Sequence, residues 1–280
     1  MRTGVYLPNQ GPFADPRRLA SLAVDAEAAG WDGFFIWDEL QRIFNPSDDV
    51  ADAIVALSAV AFATKRLRIG AMVSPVSRMR PETFALQTAT LDRLSGGRLI
   101  VGVGLGNPSE QFTAFGHEAS IKVRAAMVDE FLDLLTQLWS GSTVDFHGAH
   151  YTAINVSMTP PLQSPRIPVW IGADSRNRAP RRRAARWEGF IPASDHWPDA
   201  VIPPEDYDVA MEDIRSLRPA GQPFDVVVIG DAAGTRPAAD ELPAYEAAGV
   251  TWLLVQALTF EDAQARIRRG PPGPGASRST

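Results

Sequence analysis

Apolar positions along this chain follow two alternating rhythms. Short runs rich in β-branched and aromatic residues each predict a strand: GVYLPN (4–9), GFFIWD (33–38), LRIGAMVSPV (67–76), RLIVGVGL (98–105), PVWIGA (168–173), EGFIPA (188–193), DVVVIGD (225–231) and TWLLVQA (251–257). Longer stretches with helical spacing lie between them. In DPRRLASLAVDAEAAG, Leu19, Leu22, Ala23, Ala26 and Ala29 share one face, Asp15 is placed to cap, Pro16 takes the first helical position and Gly30 follows the end. DVADAIVALSAVAFATK is apolar nearly all round, through Ile54, Val55, Leu57, Val60, Ala61 and Phe62. A helix with two apolar faces is buried on both, so a subunit interface is expected there. RPETFALQTATLDRLSGG starts at Pro81 and ends at Gly96, and SIKVRAAMVDEFLDLLTQLWSG is long and amphipathic. The segment 142–166 shows no clear period and reads as loose. Further helices are expected up to 185, from 203, before Gly249 and after 257.

Sustained βα alternation calls for a parallel sheet. Eight such units in this length predict an α/β fold of the closed (β/α)8 TIM-barrel kind, one domain over 1–269, with an open doubly wound sheet as runner-up. Pro, Gly and Ser dominate 270–280, which is expected to be a disordered tail. A barrel carries its site at the C-terminal ends of the strands, so polar residues there are the candidates.

Composition narrows the chemistry. The net charge is −6 and the isoelectric point about 5.3, with no basic footprint for nucleic acid. The one basic run, RRRAAR at 181–186, reads as a solvated helix face. There is no cysteine, which excludes disulfides, thiolate nucleophiles and Cys-zinc sites. No signal pattern and no membrane-length apolar run is visible, so a cytoplasmic protein without membrane partners is expected. No G-x-S-x-G occurs, which argues against a hydrolase. His147 and His150 form HxxH in a turn without a third converging ligand, and no metal is expected.

RLIVGVGLGNP (98–108) places Gly102, Gly104 and Gly106 at alternate positions, with Asn107 where a dinucleotide fingerprint needs its third glycine. The glycines share one side of a strand. Either something bulky and flat approaches that side, or the barrel packs tightly there.

ATLDRLSGGRLIVGVGLGNPSEQFTAFG resembles the signature region of the luciferase-like monooxygenase superfamily. LPNQGPFADPRRLASLAVDAEAAGWDGFFIWDEL, RIGAMVSPVSRMRPETFALQTATLDRL, PPLQSPRIPVWIGADSRNRAPRRRAARWEGFIP and YEAAGVTWLLVQ agree with it, so that the resemblance extends to about residue 258. It implies the (β/α)8 barrel, an oxidoreductase acting on a small organic substrate, and reduced FMN or the deazaflavin coenzyme F-420 in the barrel mouth. FMN would bring oxygenation and a separate flavin reductase as partner; F-420 would bring hydride transfer. A homodimer is expected. A flavin-binding barrel without catalysis and a sugar-phosphate isomerase are the alternatives from other classes.

The resemblance also implies places. The ring would rest at the end of the third strand, near Met72, Val73 and Ser74, often at a non-prolyl cis peptide. Phosphate would be held in GADSRNR, by Gly172, Ala173, Ser175, Arg176 and Arg178, with Gly104, Gly106 and Asn107 as further cofactor contacts. Here Ala173 stands where relatives have a second glycine, and Asp174 adds a negative charge that the two arginines offset. In WDEL, Glu39 occupies the place of a histidine in many relatives, which leaves Asp38 or Glu39 as acid/base, with His117 a third catalytic candidate. Arg78, Arg80 and His196, with Trp197 beside it, are the substrate candidates. Trp37, Met72 and Trp170 read first as core.

Overall fold

The computed structural model describes residues 1–41, 45–193, 201–219, 221–230, 233 and 237–272. Its strands are β1 (Arg2–Leu7), β2 (Gly33–Ile36), β3 (Arg68–Ala71), β4 (Ser74–Pro75), β5 (Val101–Gly104), β6 (Val144–His147), β7 (Thr152–Val156), β8 (Val169–Asp174), β9 (Gly189–Ala193), β10 (Asp225–Ile229) and β11 (Trp252–Gln256). All but β6 and β7 form one parallel sheet, in the order β3-β2-β1-β11-β10-β9-β8-β5-β4. β3 and β4 are one stave broken at Met72–Val73. Since β3 pairs with β2 and β4 with β5, the broken stave closes the ring. A bridge between Ile69 and Leu99, with Ile100 N donating to Ile69 O at 2.8 Å, completes the closure below the break. The result is a barrel of eight staves, as the sequence predicts.

The helices are α1 (Pro16–Ala28), α2 (Ala53–Ala63), α3 (Pro81–Ser95), α4 (Glu110–Thr113), α5 (Ile121–Leu138), α6 (Arg178–Ala184), α7 (Pro204–Ser216), α8 (Leu242–Ala247) and α9 (Phe260–Arg269). Asp15 caps α1 by accepting from Arg17 N at 2.9 Å, and Asp52 caps α2 by accepting from Val55 N at 2.9 Å. No helix among the described residues is long and apolar enough to cross a membrane.

Alternation along the staves separates two cores. Val5, Leu7, Phe34, Ile36, Val101 and Val103 face the helices. Tyr6, Phe35, Trp37, Met72, Trp170 and Trp252 face the lumen. There Phe35, Trp170 and Trp252 meet with ring centroids 5.5–5.8 Å apart, and they fill the barrel below its mouth.

Arg98 ties the outer layer to the closure. Its guanidinium donates to Ala61 O at 2.8 Å, Thr64 O at 3.0 Å and Leu67 O at 2.9 Å, which are carbonyls at and beyond the end of α2. It also reaches Ser95 O at the end of α3. A cation at two helix C-termini meets both orphan carbonyls and the negative ends of the dipoles.

Three expectations need correction. The 142–166 segment is not loose: β6 and β7 form an antiparallel hairpin. Its turn is fixed by Glu130 of α5, whose carboxylate accepts from the backbone N–H groups of Ala149, His150 and Tyr151, a tertiary anchor that no local pattern announces. The run 181–186 is not a solvated face. Arg183 makes a paired contact with Asp129 at 2.6 and 2.8 Å, Arg181 pairs with Asp213 of α7, and both arginines are buried. The predicted strand 67–76 is interrupted at its centre. In the 270–280 tail, residues 273–280 lie outside the described residues.

Arg98→Met is expected to lower the unfolding free energy by about 3–5 kcal/mol, because several buried carbonyls lose their donor together. Urea denaturation followed by far-UV circular dichroism measures this, and a loss within about 0.5 kcal/mol is the size of an ordinary surface change and contradicts the anchoring role.

Candidate functional site

The mouth lies where the staves end. The third stave breaks at the Met72–Val73 peptide, which is cis, at the position the resemblance implies. Met72 points into the lumen, and Val73 stands over the neighbouring staves. A Cβ on Gly104 would lie 2.5 Å from Val73 Cγ2, and one on Gly172 would lie 2.7 Å from Val73 Cγ1. A Cβ on Gly102 would lie 2.4 Å from Ala71 O and 2.7 Å from Met72 Sδ. The alternating glycines therefore make room for the chain's own third stave. The flat body they admit is Val73 and its peptide, so a ligand over this side meets Val73 and not the bare backbone of Gly104. Tyr6 on β1 donates its hydroxyl to Met72 O and braces the break from below. Burial, with a smaller contribution from the Glu39 charge, pushes the Tyr6 hydroxyl far up, so it stays protonated.

Beside this shelf is a charged network. Asp38 and Glu39 follow β2. Ser74 Oγ donates to Asp38 Oδ2 at 2.6 Å. Arg78, in the short turn after β4, donates through Nη2 to Asp38 O at 2.8 Å and to Asp38 Oδ1 at 3.3 Å. Gln111 of α4 donates to Glu39 and accepts from Arg78 Nη1 at 3.1 Å. Asn9, fully buried just past β1, fixes the backbone here: its Nδ2 donates to Glu39 O at 2.9 Å, and its Oδ1 accepts from Glu39 N at 3.2 Å.

Among the described residues, one cation thus faces two carboxyls. Burial raises the pKa of Asp38; Ser74 and Arg78 oppose it and Asp52 adds to it. Burial also raises that of Glu39, against the Gln111 hydrogen bond and Arg78, while Asp38 adds to the rise. A carboxyl whose burial raises its pKa above the ordinary range is a better proton acceptor than a surface acid when ionised.

At the end of β8, Ala173 turns its methyl toward the helix layer, so its replacement of glycine leaves the mouth unobstructed. Asp174 accepts from Arg176 Nε at 3.0 Å and Nη2 at 2.7 Å, and from Arg176 N at 2.9 Å. The Arg176 side chain holds its carboxyl below the ordinary range. Ser175 is buried in the same turn, and Arg178 pairs with Asp213 at 3.8 Å. The offset of Asp174 by an arginine is present and comes from Arg176.

Other candidates are placed differently. Arg78 does not offer a free cation to a substrate: its side chain is 5% exposed and is engaged by Asp38 and Gln111. Arg80 is in an exposed pair with Glu82 at 2.9 Å and lines the open cavity that Asp38 also lines. His117 is exposed, and no hydrogen bond joins its imidazole to Asp38 or Glu39. His196 and Trp197 lie outside the described residues. Among the described residues no group of His, Asp and Glu side chains is placed to hold a metal ion. Trp37, Met72 and Trp170 are core.

Sequence reasoning missed Asn9, Gln111 and Arg124. Arg124, in the first turn of α5, donates to Leu105 O at 2.9 Å and Gly106 O at 3.2 Å while stacking 4.0 Å from the Phe112 ring centroid. It clamps the loop after β5 that carries Asn107. Asn9 had a signal, a polar residue directly after an apolar strand. The other two are recognisable only once α4 and α5 are folded over the mouth.

Comparison with known proteins places this geometry. The model of the luciferase-like monooxygenase family matches residues 1–266. An F420-dependent glucose-6-phosphate dehydrogenase of Amycolatopsis mediterranei is 33% identical over 160 residues, 56% of this chain and 48% of that protein. The chain's matches span about half the length of such curated relatives. Among solved structures, an F420-dependent secondary alcohol dehydrogenase in complex with an F420-acetone adduct superposes with a TM-score of 0.79 at 15% identity, covering 97% of this chain and 98% of that one. A monooxygenase from Streptomyces bottropensis gives 0.72 at 20% identity, covering 96% and 97%. At such identities the likeness concerns the fold.

Arg78→Met is expected to destabilise the protein by about 3–5 kcal/mol at pH 8, since it strands two buried carboxylates. A carboxyl whose folded pKa exceeds its unfolded one costs stability above the folded value and nothing below the unfolded value. The deficit should therefore shrink as pH falls toward about 4, where Asp and Glu protonate in the unfolded chain. Denaturation midpoints of both proteins across pH check this; a deficit that grows on acidification contradicts it.

Proposed function

Because the chain belongs to the luciferase-like monooxygenase family, we propose that it is an oxidoreductase using coenzyme F-420 that takes a hydride from a small hydroxylated organic substrate. The observation that carries this reading is the buried carboxyl pair, Asp38 and Glu39, beside the Val73 shelf. Loss of a hydride from an alcohol carbon leaves a proton on the oxygen, and that proton needs an acceptor within reach. Glu39 is that acceptor in this proposal, with Asp38 and Arg78 setting its charge. The F420-dependent relatives support the choice of cofactor.

The residues present fit a flat tricycle. Val73 offers an apolar platform, because glycines on the two successive staves β5 and β8 let it lie across their ends. Tyr6 fixes the Met72 carbonyl beneath it. Trp37 and Met72 keep water out of the lumen below. Two serines stand near the mouth. The hydroxyl of Ser74 is committed to Asp38, whereas Ser175 would hold the cofactor phosphate with Gly172, Arg176 and the backbone of the 174–177 turn. Gly106 and Asn107, held by Arg124, would line the ribityl side. When bound, the deazaflavin supplies a ring carbon that accepts the hydride.

The family description itself favours a second reading, in which reduced FMN and oxygen act on the substrate and a separate flavin reductase is the partner. Fluorescence titration with FMN and with coenzyme F-420, oxidised and reduced, separates the two. Saturable F-420 binding is expected, with Glu39→Gln retaining binding but losing at least about 100-fold in turnover. Binding of FMN alone transfers the proposal to the oxygenase, and binding of neither removes both.

A homodimer through α2 completes the proposal. Val55 and Phe62 are 61% and 77% exposed. Ser58 and Ala59, small and partly covered, lie between them on the same face. No charged side chain occurs from Ala53 to Thr64. A two-fold axis crossing α2 at its small residues would bury these side chains against a second copy, with Leu86 of α3 widening the contact. Sedimentation should find a dimer for the natural chain and a monomer for Phe62→Glu; a monomeric natural chain contradicts the proposal.

A further inference from the structure

Resting on the proton-accepting role proposed for Glu39, we infer that Gln111 is a positioning residue that holds Glu39 as a hydrogen-bond acceptor facing the mouth and ties it to the loop after β5. Gln111 is 3% exposed, and its amide is engaged at both ends. Oε1 accepts from Arg78 Nη1 at 3.1 Å and from Leu40 N at 3.4 Å. Nε2 donates to Glu39 Oε2 and to Asn107 O at 3.4 Å. Turning the amide over would set its NH2 against the Arg78 and Leu40 donors and its oxygen against a carboxylate and a carbonyl. The four neighbours therefore fix the orientation.

A fixed donor at Glu39 Oε2 favours the ionised carboxyl, because a proton on that oxygen would meet the amide hydrogen. Burial acts the other way, and the Gln111 hydrogen bond is the largest influence opposing it. Among the described residues, the remaining charged or titratable neighbours are Asp38 at the same strand end, Arg78 from the turn after β4, and Tyr6 on β1. Arg78 is shared with Asp38, which Asp52 of α2 also faces, so it cannot serve Glu39 alone. Without the amide, burial meets less opposition and Glu39 keeps its proton to still higher pH, so that less of it is in the base form.

The test reads Glu39 directly. Carbon-13 NMR of ligand-free protein labelled at the glutamate carboxyl gives its titration midpoint, with Glu39→Gln assigning the resonance. In Gln111→Leu the midpoint should rise by about one pH unit, the worth of one hydrogen bond to a buried charge. In Gln111→Glu, which keeps size and shape and so carries the test if the leucine variant fails to fold, it should rise further because a third carboxyl joins the cluster. The acid limb of the kcat–pH profile should move up with it in both variants, since the base form is the active one. A midpoint unmoved in Gln111→Glu and in any folded Gln111→Leu overturns the positioning role. A midpoint that moves while the natural enzyme fails to turn over F-420 upholds the positioning role and overturns the proposed function.

Discussion

Among the described residues, two buried carboxyls and one guanidinium meet at the top of the barrel, and the imbalance of one charge governs what this network can do. Arg78 holds the backbone and side chain of Asp38 and passes a third hydrogen bond to Gln111. It cannot neutralise both acids. Burial therefore lifts both carboxyls, and neither is a surface acid of ordinary strength. The same group that reads in the sequence as a free cation for an anionic substrate is consumed in building the base.

Steric fit sets the other half of the site. Val73 lies across β5 and β8 only because Gly104 and Gly172 carry no side chain; with any Cβ there, the methyls of Val73 would overlap it. Three staves are thus interlocked at one residue. Tyr6 reaches across from β1 to the Met72 carbonyl and adds a fourth. A shelf supported from four strands is rigid in the way that a site holding a flat ligand against a proton acceptor needs to be.

Much of this was legible from residues. Strand runs and helix caps gave the barrel, and the resemblance gave the Met72–Ser74 region and the 172–178 turn. What escaped was tertiary. The glycine alternation signalled a close approach, but the body that approaches is Val73, over twenty residues away in sequence. Arg78 read as a substrate contact because its partners, Asp38 and Gln111, come from other units. The hairpin of β6 and β7 had no period to read, because its turn is held by Glu130 of α5. Arginines at 181 and 183 looked like a surface run until Asp213 and Asp129 were brought beneath them. Apart from the hairpin, whose anchor lies in its own βα unit, each of these partners lies on another unit, and local pattern carries no trace of it.

The first turn of α2 joins these features to the outer surface. Asp52 caps that helix by accepting from Val55 N, and its charge is one of the influences that raise Asp38. Between the starts of α2 and α3 an open cavity of about 210 Å³ is lined by Asp38, Asp52, Ala53, Ile54 and Phe84. Asp38 therefore faces the network on one side and this cavity on the other. Because the cavity is open, solvent filling it would screen Asp52 from Asp38, whereas apolar atoms placed there would strengthen the repulsion and lift Asp38 further.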